Sequence, residues 1–280
     1  MQNSNPLASH FRQPAIYLKL PSNGKYWAEN SLNLSANGEV GVMPMTAKDE
    51  IMLRTPDALM NGQGVISVIE SCVPQILNAW SAPTIDVDAI LIAIRIATYG
   101  DKMDMESKCP GCGTESRHQL NLGNVLMYIK SPNYNETFEI EGLTFKFKPQ
   151  NYLQSNKNNI IDFEEQKLMQ VIADDSIDVE TRKATFDVHL QNIVNVSNTL
   201  LANSTESITI ENEMIVTNRE HIQEFYANAN NKIIKSVQKI LGDFADQIKM
   251  KPARVMCESC EKEYNVGITF DYGNFFDPLS

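Results

Sequence analysis

The apolar positions of this chain change period several times, and each change marks an element. Ala15-Ile-Tyr-Leu-Lys-Leu20 alternates like a strand and runs into Pro21-Ser-Asn-Gly24, a run of turn formers. Tyr26 and Trp27 follow at once, either covering the core of a hairpin or forming a docking element. Asn37-Gly38 marks a second turn ahead of a short strand from Glu39 to Met43. Thr46, with Asp49 three positions on, predicts a capped helix with Ala47 to Leu53 as its body, stopped before Pro56. Val65 to Leu77 places Ile66, Ile69 and Val73 at helical spacing with Pro74 inside the run, which predicts a kink or two short helices. Asp86 to Tyr99 is apolar almost all round; Asp86 or Asp88 is the expected cap and Gly100 the left-handed stop. A helix this apolar is buried on most faces, so its Arg95 needs company. Asp49, Glu50 and Asp57 are the expected ion-pair partners, and an anion or a protein partner is the alternative.

Further on, Thr137-Phe-Glu-Ile140 and Leu143-Thr-Phe-Lys-Phe147 flank Glu141-Gly142, a hairpin that puts Leu143, Phe145 and Phe147 on one face. Helical spacing returns from Ile160 to Ile172. It returns again from Asp178 to Leu201, through Phe186, Leu190, Ile193, Val194 and Leu200. Thr209 to Val216 reads as a strand or an extended link. Thr217 with Glu220 reads as a capping box that opens one helix from Asn218 to about Leu241. Phe275-Phe276 near the end are either a lid or an anchor on a partner.

Four of the five cysteines fall in two pairs, Cys109-Pro-Gly-Cys112 and Cys257-Glu-Ser-Cys260. Two residues between thiolates let both sulfurs face one soft cation, and two such pairs make the four ligands of a closed tetrahedral zinc site. Gly113 follows the first pair where a tight knuckle needs a glycine conformation, and both pairs lead into alternating stretches, Glu115 to Leu122 and Glu263 to Phe270. Knuckle then strand, twice over, is the layout of a zinc ribbon. Redox chemistry and disulfide bonding compete with this reading, but neither pair opens a helix in a βαβ pattern and the chain begins without a signal-peptide pattern. Cys72, in an apolar helical stretch, reads as an ordinary buried thiol. The fold expected is α+β: small sheets and helices, a four-cysteine zinc ribbon closed by distant segments, and a helical middle insertion. Its parts would be an amino-terminal module at 1–125, a hairpin and helical insertion at 126–250, and a closing segment at 251–280 that packs back on the first.

Charge narrows the partners. With 35 acidic against 24 basic residues the net charge is −11, which argues against a broad phosphate-binding surface and so against nucleic acid. The longest apolar run, Ala89 to Ile94, is far short of the roughly 20 residues of a transmembrane helix, so no stable membrane insertion is expected. The histidines at 10, 118, 189 and 221 form no metal or triad motif. His118, six residues after Cys112, is either a substitute ligand or a solvated strand position. Asn61-Gly-Gln-Gly64 is too little for a phosphate loop, and the pairs Asp174-Asp175 and Glu164-Glu165 read as solvated faces. No catalytic residue and no enzyme activity are expected.

Three segments then carry a family resemblance. They are Leu20-Pro-Ser-Asn-Gly-Lys-Tyr26, Met43-Pro-Met-Thr-Ala-Lys-Asp-Glu-Ile-Met-Leu53, and Asp88 to Gly100 followed by Cys109-Pro-Gly-Cys-Gly113. In this order and spacing they resemble the baseplate hub proteins of contractile-tailed phages of the T4 type, most strongly over 14–125, with the closing CxxC and double phenylalanine in keeping. The resemblance implies a non-enzymatic structural subunit of the virion tail baseplate, assembled in the host cytoplasm as part of a symmetric hetero-oligomer. Its partners would be tube, spike, wedge or tape measure proteins. It gives Cys109, Cys112, Cys257 and Cys260 the zinc role already suggested by their spacing. The alternatives are an assembly factor absent from the mature particle, a zinc-dependent nucleic-acid-binding module, and a hub-associated enzyme that degrades cell wall.

Overall fold

The computed structural model describes residues 6–55, 62–159, 166, 179–210, 214–267 and 275–276. The fold is α+β, built from helices and small antiparallel sheets. It divides into two compact units, one made of residues 1–130 with 249–280 and the other of residues 131–248.

In the first unit β1 (Ile16–Lys19) pairs antiparallel with β2 (Glu39–Val42), burying Leu18, Val40 and Val42 while Tyr17 faces out. Helix α1 (Ala47–Leu53) carries the expected capping box: the Thr46 hydroxyl accepts from the Asp49 amide, and the Asp49 carboxylate accepts from the Thr46 amide. Helix α2 (Gln63–Cys72) stops two residues before Pro74, so the kink or second helix expected there is replaced by a clean end and a short 3-10 turn at Ala79–Ser81. The residue preceding a proline avoids helical backbone, and Val73 leaves the helical region at φ −128° and ψ 81°.

Helix α3 (Thr84–Tyr99) is the buried helix, from Ile85 to Arg95, and begins two residues earlier than its sequence suggests, behind Pro83. Neither Asp86 nor Asp88 caps it. Asp86 lies in the first turn, wholly buried, where its carboxylate accepts from the Ser22 amide (2.8 Å), the Ser22 hydroxyl (2.5 Å) and Trp27 Nε1 (2.8 Å). The Pro21–Gly24 turn and Trp27 are thereby tied to the core. Gly100 ends the helix at φ 92° and ψ 176°, a glycine conformation but not the left-handed helical one, and a short helix α4 (Leu122–Tyr128) follows later in the same unit.

Two of the three carboxylates expected beside Arg95 have other partners. The Asp49 carboxylate faces Arg12, the Glu50 carboxylate accepts from the Tyr99 hydroxyl (2.9 Å), and Asp57 lies outside the described residues. The Arg95 guanidinium lies 5.3 Å from the Tyr99 ring centre and 5.6 Å from that of Phe275, where the ring faces attract a cation. Phe275 and Phe276 are each 4% exposed, so both are core residues. Arg12 has no counterpart in the sequence reading. It pins the segment ahead of β1 by donating to the Pro44 and Ser71 carbonyls (both 2.8 Å) and to Asp49 (3.2 Å).

The second unit holds a four-stranded antiparallel sheet in the order β5 (Thr137–Ile140), β6 (Leu143–Phe147), β7 (Thr205–Ile210), β8 (Met214–Val216). Glu141 and Gly142 turn β5 into β6 with φ of 50° and 78°, the paired positive values of a type I′ turn. Phe145 and Phe147 are fully buried, Phe147 meeting Phe244 and Phe145 meeting Phe225. Helix α5 (Val179–Ser204) runs straight into β7, which therefore begins at Thr205 and not at Thr209. Its helical spacing is as expected. Phe186, Ile193 and Val194 are 45%, 42% and 50% exposed, and among the described side chains burial is found near the helix end, from Leu201 to Ser204. The single helix expected from Asn218 is two, α6 (Arg219–Asn228) and α7 (Asn231–Ile248). The cap of α6 is Asn218 rather than Thr217. The Asn230 side chain accepts from the Lys232 and Ile233 amides (both 3.0 Å) and starts α7 anew. The helix expected at 160–172, apart from Gln166, and both acidic pairs lie outside the described residues.

Candidate metal centre

Each cysteine pair sits at the tip of a two-stranded antiparallel hairpin. β3 (Lys102–Lys108) and β4 (Glu115–Asn121) pair from Lys102 opposite Asn121 to Lys108 opposite Glu115, with Cys109–Gly113 at the tip. β9 (Ala253–Met256) and β10 (Glu263–Val266) pair from Val266 opposite Ala253 to Glu263 opposite Met256, with Cys257–Lys262 at the tip. The strand after each knuckle was expected. The strand before each, β3 and β9, was not, because Lys102–Lys108 and Ala253–Met256 are short and carry charges among their apolar positions.

The two tips share one hydrogen-bond pattern. Cys109 N–H donates to the Thr114 carbonyl (2.9 Å) and accepts at its own carbonyl from Gly113 N–H (2.9 Å). Cys257 N–H donates to the Lys262 carbonyl (3.0 Å) and its carbonyl accepts from Glu261 N–H (2.9 Å). Gly113 has φ 75°, as the first knuckle's sequence predicts, and Glu261 takes the same left-handed place at φ 55° without being glycine.

The four sulfurs come together from the two distant segments. All lie within 4.8 Å of one another, with Cys109 Sγ 3.7 Å from Cys260 Sγ and Cys112 Sγ 3.6 Å from Cys257 Sγ. A disulfide would need about 2.05 Å, and the cysteines are free thiols. Tetrahedral thiolates around zinc at about 2.3 Å stand about 3.8 Å apart, so the observed spacing fits a four-thiolate metal site. Such a set leaves no open position for substrate and suits a structural ion rather than a catalytic one.

The first cysteine of each pair points inward and the second outward. Cys109 and Cys257 are buried with Tyr264 against Val255 and Val266, while Cys112 and Cys260 are exposed. Hydrogen bonds from the Cys112 and Gly111 amides hold the Cys109 thiol below its ordinary value. Those from the Thr114 hydroxyl and backbone draw Cys112 down to about 6. At Cys260 the Lys262 amide acts to lower the value, but the neighbouring thiols of Cys112, Cys257 and Cys109 push it up to about 12. A dication bound here would displace the protons that the thiols carry.

Behind the sulfurs, the Tyr264 hydroxyl lies 2.8 Å from Ser107 Oγ and 3.1 Å from His118 Nε2. His118 is therefore partly buried against the opposite hairpin and stands outside the four-sulfur group. Cys72 is fully buried, and burial pushes its thiol up to about 12, as an inert core cysteine requires. Ser107 and Thr114 escaped the sequence reading; the alternation from Glu263 onward puts Tyr264 and Val266 on one face of β10, but carries no sign of the partners of the Tyr264 hydroxyl.

No curated protein and no solved structure matches the chain. Among the described residues no helix is long and apolar enough to cross a membrane. Residues 14–277 match the family described as T4 bacteriophage base plate protein, and this span covers both units and both cysteine pairs. The chain accordingly belongs to the T4-type phage baseplate protein family, whose members are structural components of the tail baseplate acting together with other baseplate proteins.

Proposed function

We propose that this protein is a structural subunit of the baseplate hub, joining tube, spike, wedge or tape measure components through protein–protein contacts and catalysing no reaction. In this reading Cys109, Cys112, Cys257 and Cys260 bind one structural zinc. The ion fastens the closing segment 251–280 to the module at 1–125, and the insertion at 126–250 is left to carry contacts with neighbours. The observation that carries the proposal is the approach of four thiols, from two hairpins far apart in sequence, to within 4.8 Å. A rigid, closed site of this kind suits a part that must hold its shape in an assembly.

Metal analysis of the purified protein is expected to find about one zinc per chain, with the four thiols protected from alkylation until a chelator is added. Absence of metal, with all four thiols reactive in the folded protein, overturns the zinc reading. Purified tails are expected to retain the protein. Its presence during assembly and loss from mature tails would instead favour an assembly factor.

A further inference from the structure

Lys262 belongs to the second knuckle through its backbone, since its carbonyl accepts from Cys257 N–H and its amide hydrogen-bonds the Cys260 sulfur. Its side chain, however, crosses to the first knuckle. A Cβ built on Gly111 would lie 2.8 Å from Lys262 Cδ, 3.6 Å from its Nζ and 3.6 Å from Cys109 Sγ. The lysine stem therefore occupies the space that a side chain at position 111 would enter, and its ammonium and Cys109 Sγ each lie 3.6 Å from that same point. A second lysine lies close by at the other end of the same knuckle, with Lys108 Cε 3.9 Å from the corresponding point on Gly113.

We propose that Lys262 is a positioning residue for the metal site, a strap from the second knuckle over the first whose cation compensates the charge of the thiolate cluster. The inference rests on the zinc reading above. Four thiolates around a dication carry a formal charge of −2, and positive charge beside them weakens their tendency to take up protons or electrophiles and release the metal. The methylene stem covers the backbone of Cys109–Cys112, which adds a contact between the knuckles that needs no metal. Gly111 and Lys262 are one device: the glycine leaves the groove and the lysine occupies it.

The test is the rate of zinc release from the full chain into a chromophoric chelator. Loss of an outer-shell partner typically costs 10–100-fold in metal affinity, and because Lys262 is solvent-exposed the low end applies, roughly tenfold faster release for Lys262→Ala. Lys262→Met keeps the stem without the charge and should fall between Ala and wild type, while Lys262→Arg should hold near wild type. Gly111→Ala should speed release as Lys262→Ala does, because the methyl displaces the stem. It should add nothing in a Lys262→Ala background, the non-additivity of residues that act as a unit. Zinc release from Lys262→Ala at the wild-type rate, or full additivity with Gly111→Ala, overturns the strap and leaves the zinc site standing. A wild-type chain that binds no zinc overturns both.

Discussion

Replacing Asp86 with alanine should unfold the first unit far more readily than the loss of one exposed carboxylate could. Asp86 is completely buried and serves three donors: the Ser22 amide, the Ser22 hydroxyl and Trp27 Nε1. Alanine leaves the Ser22 amide, 3% exposed as a residue, without its acceptor, at a cost of about 2 kcal/mol. The hydroxyl can rotate and the half-buried indole can reach water, so these two together cost about 1–2 kcal/mol. Against this, burial already holds the Asp86 pKa above the ordinary carboxylate range despite the bonds from Ser22 and Trp27, and removing the carboxylate relieves that strain. A net loss of about 3 kcal/mol follows, or about 1.5 M in the urea midpoint at a slope of about 2 kcal/mol per molar. Both tryptophans, Trp27 and Trp80, lie in the first unit, so tryptophan fluorescence reports on it selectively. Asp86→Asn should lose only about 1 kcal/mol, since its carbonyl can still accept from Ser22 while its amide opposes the indole. Because the folded pKa is raised, the folded state keeps its proton over a range where the unfolded chain has lost it. The wild-type unit should therefore lose stability as pH rises from about 4 through the raised value, and Asp86→Asn should lack that slope. A midpoint shift below 0.5 M for Asp86→Ala (about 1 kcal/mol) would refute the reasoning. So would a cost for Trp27→Phe, read through Trp80, that is as large in the Asp86→Ala background as in wild type.

Chelating the metal should lower the stability of the first unit. A cross-link between Cys112 and Cys257, 145 positions apart, is worth about 5 kcal/mol if the whole intervening chain is flexible. While residues 131–248 stay folded, the free loop shrinks to roughly 26 residues and the value to about 3.5 kcal/mol. Fluorescence should show that loss, and far-UV circular dichroism should show a separate transition left unmoved by chelator; a single transition that ignores chelator contradicts the clasp. Arg12→Ala should cost about 2 kcal/mol, discounted for a guanidinium that is 25% exposed. Asp49 is pushed up by burial but drawn lower overall by its bonds from Thr46 and Ser71 and by Arg12, so its stabilisation is present above about pH 4 and fades as pH falls below. Acid titration of unfolding should show a shallower loss in Arg12→Ala than in wild type, and equal slopes would argue against the pairing. Glu261→Gly should stabilise the holo protein by about 0.5 kcal/mol, the relief of a left-handed backbone less the added entropy of glycine when unfolded. A clear destabilisation would mean that the Glu261 side chain contributes more than its backbone costs.

What could be read in advance was whatever a few adjacent residues decide among themselves. Thr46 and Asp49 satisfy each other's amides within one turn, Glu141-Gly142 supplies both positive φ angles of its hairpin, and each CxxC fixes its own knuckle. Even the meeting of the two pairs was legible by chemistry, because two thiols make half a soft-metal site and each pair lacked the other half. Asp86 was misread for the opposite reason. At the head of a helix an aspartate suits a cap and a buried acceptor equally, and the choice was made by Ser22 and Trp27, 64 and 59 positions away. The run from Asn218 on was misread as one helix because asparagine costs well under 1 kcal/mol per helical position, too little to interrupt an apolar period. The Asn230 side chain, by taking two amides at once, was enough to break it. Along Val179–Ser204 the period was legible and the burial was not. Spacing shows that Phe186, Ile193 and Val194 can share a face, but burial depends on what packs against that face. The second knuckle shows the same limit from the other side. Gly113 announces its turn and Glu261 conceals an identical one, because the hydrogen bonds of the hairpin tip are enough to hold a non-glycine residue in a conformation its own preference opposes.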